Sequence, residues 1–198
     1  MGSTLIKARN LLVLVVIVTL CGCGTGSAPT REQWNTLVFW KTATLAEVRG
    51  GLKAGYDVDM AFDNGHTPLM MAAFFNPSVE VIEELLNASA SLGISAAGLS
   101  PLMAAVSQNS NVEITRLLIK RGSDVNARGI NGLTPILQAA YSCPKEEIFM
   151  MLVDAGADLS ARLDDGKTVR ELAEKNRKIG VKICNFLDGN TKPEATGW

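Results

Sequence analysis

Histidine is nearly absent from this 198-residue chain: His66 is the single example. No Gly-x-Ser-x-Gly elbow and no phosphate-binding lysine loop accompany it. The carboxylate pairs Asp57/Asp59 and Asp164/Asp165 have no companion acid, base or metal ligand converging on them in the sequence. Four cysteines are present, without the spacing or histidine company of a metal site. No catalytic residue, cofactor, metal or small-molecule substrate is therefore expected. A basic excess is also missing, with 19 Lys and Arg against 20 Asp and Glu, which argues against a nucleic-acid partner. No run of like charge marks a peripheral membrane patch. Long apolar stretches are lacking too: Leu11–Leu20 is ten residues with one polar interruption, and a ~30 Å hydrocarbon core needs about 20.

That short apolar run follows Lys7 and Arg9, an arrangement expected of an export signal over residues 1–22. Leu20-Cys21-Gly22-Cys23 then resembles a bacterial lipobox, in which small residues precede a cysteine that is acylated and becomes the mature N-terminus. The resemblance implies lipidation at Cys23; Cys21 fits less well, since Leu20 would stand where a small residue is needed. An ordinary secretory signal and an uncleaved anchor are the alternatives. Acyl chains contribute about 0.8 kcal/mol per buried methylene, and more than one chain is needed for stable attachment. Residues 23–32, rich in glycine and small polar residues, read as a flexible tether. Gly24 replaces the aspartate that the resembled family commonly uses to stay at the inner membrane. The expected location is the bacterial envelope, lipid-anchored and facing the periplasm, with the outer membrane favoured. The processed chain would carry 17 basic and 20 acidic residues. Cys143 and Cys184 would be its remaining thiols. An oxidising compartment permits a disulfide, but bridging needs Cα atoms within roughly 7 Å, a limit this pair is expected to miss.

What the chain does have is a phrase repeated four times. Gly65-His-Thr-Pro-Leu, Gly98-Leu-Ser-Pro-Leu, Gly132-Leu-Thr-Pro-Ile and a degraded Gly166-Lys-Thr-Val-Arg begin 33, 34 and 34 residues apart. Such a period marks a stack whose units bury their apolar faces against neighbours. Thr67, Ser100, Thr134 and Thr168 stand at N-cap positions, with Pro68, Pro101 and Pro135 at the first helical position. Paired alanines allow close helix approach, and the second helices carry apolar residues at helical spacing, such as Val81, Ile82 and Leu85. Gly122 and Gly156 fit left-handed C-terminal caps.

With Gly122-Ser-Asp-Val-Asn-Ala127 and Gly156-Ala-Asp-Leu-Ser-Ala161, these elements resemble ankyrin repeats over residues 39 to about 188. The resemblance implies an all-α repeat solenoid, with helix-turn-helix units joined by β-hairpin loops. Its ankyrin-repeat domain would span 33–188. Within it lie a capping half-repeat at 33–62, repeats at 63–95, 96–128 and 129–162, and a C-terminal capping repeat at 163–188. Residues 189–198 are expected to be disordered. Two departures stand out. The histidine usual after Thr-Pro-Leu is replaced by Met70, Met103, Leu137 and Glu171, exchanging a polar link for apolar packing. The second repeat ends in Asn87-Ala-Ser-Ala-Ser-Leu-Gly-Ile-Ser95, so an irregular hairpin is expected there.

In ankyrin-like stacks the hairpin tips and first helices form a concave binding face. Carried onto this chain, the face comprises His66, Phe74, Phe75, Leu99, Ile130, Leu133 and Tyr141, an apolar stripe of the kind that forms interface hot spots. Phe75 is divided between this face and the core. His66, on a variable tip position, is expected to be solvated. Trp34, Phe39 and Trp40 read as a seal on the open end of the first repeat, and charges such as Arg170, Glu171, Glu174 and Lys175 as a solubilising C-terminal cap. The function implied is non-enzymatic binding of another protein. A structural or assembly subunit of an envelope complex, and an accessory or inhibitor of a secreted enzyme, are the alternatives.

Overall fold

The structure is a computed structural model that describes residues 28–93, 95, 97–109 and 111–189. Cys23 and the expected signal lie outside the described residues, as do Ile94, Ala96, Ser110 and residues 190–198. Eleven α-helices and no strand are found among the described residues: α1 (Arg31–Trp34), α2 (Leu37–Thr42), α3 (Leu45–Lys53), α4 (Pro68–Phe75), α5 (Val79–Asn87), α6 (Pro101–Gln108), α7 (Val112–Lys120), α8 (Pro135–Ser142), α9 (Glu146–Asp154), α10 (Val169–Ala173) and α11 (Gly180–Leu187). None of them is long and apolar enough to cross a membrane.

The helices begin where the sequence supplies a cap. The hydroxyls of Thr67, Ser100, Thr134 and Thr168 accept from the backbone N–H three residues on, at 3.4, 3.2, 3.5 and 3.2 Å. Thr30, Thr44 and Thr168 add the reciprocal bond that completes a capping box. First helices α2, α4, α6, α8 and α10 stack on one another, and so do second helices α3, α5, α7, α9 and α11. The core runs between the two rows, from Trp34 and Trp40 through Leu69, Ile82, Leu102, Leu118 and Ile136 to Phe149 and Ile183. Met70, Met103 and Leu137 are buried, so the positions that lost histidine pack between units; Glu171 is exposed and closes its own capping box. Every one of these core residues lies within 28–189.

The N-terminal unit is larger than the half-repeat expected at 33–62. α2 occupies the first-helix position of a complete pair, and α1 begins inside the segment read as tether. The aromatic residues explain this ordering. Trp40 Nε1 donates to the Trp34 carbonyl at 2.8 Å, the two rings meet edge-on at 4.7 Å, and the Tyr56 hydroxyl reaches the Pro29 carbonyl at 3.0 Å. A buried edge-to-face pair contributes about 0.5–1.5 kcal/mol beyond its area burial. Five helix pairs therefore stack.

An asparagine after each of the first helices α4, α6 and α10 joins its pair to the preceding one. Asn76 Nδ2 donates to the carbonyls of Trp40 and Ala43, Asn109 Nδ2 to those of Ala73 and Asn76, and Asn176 Nδ2 to those of Ala140 and Cys143, all between 2.8 and 3.2 Å. Each Oδ1 accepts from the N–H two residues on, so one side chain satisfies its own turn and the preceding unit. The corresponding position after α2 is Ala43, and after α8 it is Cys143, which brings no amide. The Cys143 Sγ donates to the Lys145 carbonyl at 3.2 Å, and burial pushes the thiol up to about 11. Cys143 and Cys184 are both free.

The irregular ending expected in the second repeat keeps regular bonds. Ser89 N donates to Leu86 O and Ala90 N to Leu85 O, the pattern made at Gly122 and Gly156 by helices α7 and α9. The tip then closes through Ser95 N to Leu99 O at 2.9 Å. The irregularity is chemical: Ser89 takes φ 68° where the equivalent units use Gly55, Gly122 and Gly156. A left-handed non-glycine residue costs about 1 kcal/mol. Ser89→Gly is expected to raise stability by about that amount and Tm by about 3 °C. Thermal unfolding with an unchanged or lower midpoint would remove strain at Ser89 from the account.

Candidate binding face

The hairpin tips are registered by backbone bonds between units. Ala97 N donates to Gly65 O at 3.3 Å, Ile130 N to Gly98 O at 2.9 Å, and Asp164 N to Asn131 O at 3.0 Å. Gly65, Gly98, Gly132 and Gly166 take φ of 76°, 70°, 74° and 85°, the left-handed turn that glycine adopts without a Cβ penalty. The tips thus form a continuous edge, with the first helices beside them.

Four of the seven residues read from sequence as the binding face converge. His66, Phe74, Phe75 and Leu99 share the wall of a cavity of about 210 Å³ with Leu37, Asn64, Met70, Met71 and Ala104. Phe74 and Phe75 are both half-buried, their ring centroids 4.3 Å apart at a tilt of 55°. Phe75 both lines the cavity and packs against the core. His66 is half-buried rather than solvated; its backbone N–H is held by Asn64 Oδ1 at 3.1 Å, and its Nδ1 is shielded and unpartnered. Among the described residues, no charged side chain lines the cavity.

The other three do not join this cavity. Leu133 is half-buried, and Ile130 and Tyr141 are 56% and 55% exposed. Tyr141 occupies the position in α8 that Phe74 occupies in α4, seven residues after the N-cap, while Ser107 takes it in α6. The stripe is thus an apolar cavity near the N-terminal end, a small polar gap, and two exposed apolar side chains beyond.

Leu37 was missed by the sequence reading. It is 47% exposed and comes from α2, which the reading had treated only as an end seal. The available signal was Thr36, whose hydroxyl accepts from Phe39 N and starts a first helix at Leu37 without a following proline.

The family "Ankyrin repeats (3 copies)" matches residues 47–129 and 69–163, together more than half of the chain. The chain belongs to the ankyrin-repeat family. A search of curated proteins found no match. Membership agrees with the all-α stack, and ankyrin repeats point in general to a protein–protein interaction module. The ankyrin match begins within α3, so α2, which supplies Leu37 to the cavity, lies outside the matched segments.

Proposed function

We propose that this ankyrin protein is a lipid-anchored binding module of the bacterial envelope. In this reading it is held at the membrane through Cys23, faces the periplasm, and engages another protein with the face built from α2, α4, α6, α8 and their tips. The observation that carries the binding reading is the cavity shared by Leu37, His66, Phe74, Phe75 and Leu99, which has no charged lining among the described residues. An apolar side chain from a partner would find there aromatic and thioether surface without a charge to desolvate. Tyr141 and Ile130 would extend the contact along the stack. The anchoring reading rests on the sequence before residue 28, and a role in catalysis forms no part of the proposal.

Crosslinking capture from native envelopes tests both parts. The wild-type chain is expected in the membrane fraction with a specific partner, and Cys23→Ser is expected to release it to the soluble fraction. Phe74→Asp/Tyr141→Asp is expected to lower partner recovery at least tenfold, the loss typical of an interface anchor. Leu37→Asp, at a more exposed cavity position, provides a second variant in case the double substitution disturbs folding. Undiminished recovery from folded forms of both variants would place the interface elsewhere. A membrane-bound Cys23→Ser protein would refute the lipid anchor. Self-association of the isolated wild-type chain in sedimentation would favour the obligate-subunit reading.

A further inference from the structure

The two ends of this stack differ in charge. Residues 28–166 carry ten Lys and Arg against sixteen Asp and Glu, whereas residues 167–189 carry six against three. The described stack is therefore acidic for most of its length and basic at its C-terminal end. Arg177 and Lys178 are adjacent in sequence, and the fold brings Arg170 and Lys182 to the same place. Arg170, Arg177, Lys178, Val181 and Lys182 surround one open depression of about 460 Å³, with Glu174 as its single carboxylate among the described residues. Arg170 pairs with Asp188, and Lys182 with Glu146. Arg177 and Lys178 have no ion-pair partner among the described residues.

In the middle of these cations stands Val181, 76% exposed, on the last helix of the stack. Solubility alone would account for the lysines and arginines, since an end unit needs a polar outer surface. It does not account for an aliphatic side chain held in water among them. That combination is what an anionic bilayer rewards: cations attracted to the headgroups and an apolar group that enters the acyl boundary.

We infer that the C-terminal end of the stack, through Arg177, Lys178, Lys182 and Val181, docks on an anionic lipid surface. The observation is independent of the protein-binding face and of lipidation at Cys23. A free phosphate or a nucleic acid could use the same cations but would leave Val181 in water, and an apolar phase is the occupant that uses all four residues.

The test uses the chain from Gly24 onward, which keeps every described residue and removes the anchor. Cosedimentation is measured with phosphatidylglycerol vesicles and with phosphatidylcholine vesicles. Binding to phosphatidylglycerol is expected at about 0.05 M salt and is lost by about 0.5 M, where screening is stronger. Phosphatidylcholine should retain little protein. Each Lys or Arg near an anionic surface strengthens binding about fivefold, so Arg177→Glu/Lys178→Glu should weaken it at least tenfold. Val181→Ser should weaken it about threefold. Circular dichroism identifies any variant that fails to fold, and Arg177→Gln/Lys178→Gln then replaces the charge reversal. Equal retention by the two vesicle types, or no binding to phosphatidylglycerol at low salt, overturns the inference. An unchanged affinity in the folded charge variants does the same. Competition by inorganic phosphate, with Val181→Ser neutral, would assign the depression to a soluble anion and overturn lipid docking.

Discussion

Asn109→Ala is expected to lower the unfolding free energy by about 3 kcal/mol and Tm by about 10 °C. The side chain is 4% exposed and makes three bonds that alanine cannot replace. Its Nδ2 donates to Ala73 O at 2.8 Å and Asn76 O at 3.0 Å, both in the preceding unit, and its Oδ1 accepts from Asn111 N at 2.9 Å. Removing it strands two carbonyls and one N–H at a unit boundary. Each buried unsatisfied group costs about 1–3 kcal/mol, partly relieved where water can enter. In a stack held together by nearest-neighbour interfaces, the loss falls on one boundary, between α4/α5 and α6/α7. Thermal and denaturant unfolding of Asn109→Ala beside Asn111→Ala provides the measurement. Asn111 is half-buried, bonds Pro77 O at 2.7 Å and caps α7 by accepting from Glu113 N at 3.1 Å. Water reaches both groups, so its loss is expected to cost about 1 kcal/mol. Equal destabilisation by the two substitutions would show that the buried asparagine ladder does not hold the units together. Cys143 shows the same position without the amide: its backbone, at φ −59° and ψ 133°, matches Asn109 at −69° and 125°, but its Sγ donates within its own turn, to Lys145 O.

The parts of this fold readable in advance were those whose cause is local. A hydroxyl before a proline starts a helix, and a glycine at a fixed offset turns a tip; Thr67, Ser100 and Thr134, with Gly65, Gly98 and Gly132, occupy those places in the structure. The asparagine ladder has a period of its own, with Asn76, Asn109 and Asn176 in register, but its cause is a bond to residues 33 and 36 positions earlier. An asparagine after a helix also reads as an ordinary end residue, which hid its second role. α2 went unread for a similar reason: it lacks the Thr-Pro-Leu phrase, and its ordering depends on Trp34 and Trp40 meeting across a turn. The cavity was partly legible. His66, Phe74, Phe75 and Leu99 followed from position within a repeat, while Leu37 required knowing that the N-terminal unit was a full helix pair. The basic end was partly visible in Lys175-Asn176-Arg177-Lys178, which read as part of a solubilising cap; Arg170 and Lys182 join Arg177 and Lys178 around one depression only when α10 and α11 fold together.

Gly129→Ala is expected to cost about 2–3 kcal/mol and to disorganise the face between Leu99 and Ile130. An added Cβ would lie 2.3 Å from the Gly98 carbonyl oxygen, a backbone atom that cannot rotate away. The tips must separate, and the first bond lost is Ile130 N to Gly98 O at 2.9 Å. Strain within the glycine itself is not the cause, since Gly129 has φ −95° and ψ −155°, a conformation open to alanine. Gly156→Ala supplies the opposite case, with φ 88° and no neighbour near the added carbon; its cost is conformational, about 1 kcal/mol. If tip registry holds the face together, Gly129→Ala should destabilise more than Gly156→Ala. It should also speed amide exchange at Ile130 and reduce partner recovery, whereas Gly156→Ala should leave recovery intact. Equal stability loss with slow exchange at Ile130 would mean that the tips adapt to a side chain at position 129. The binding face would then owe its shape to stacking of the first helices alone.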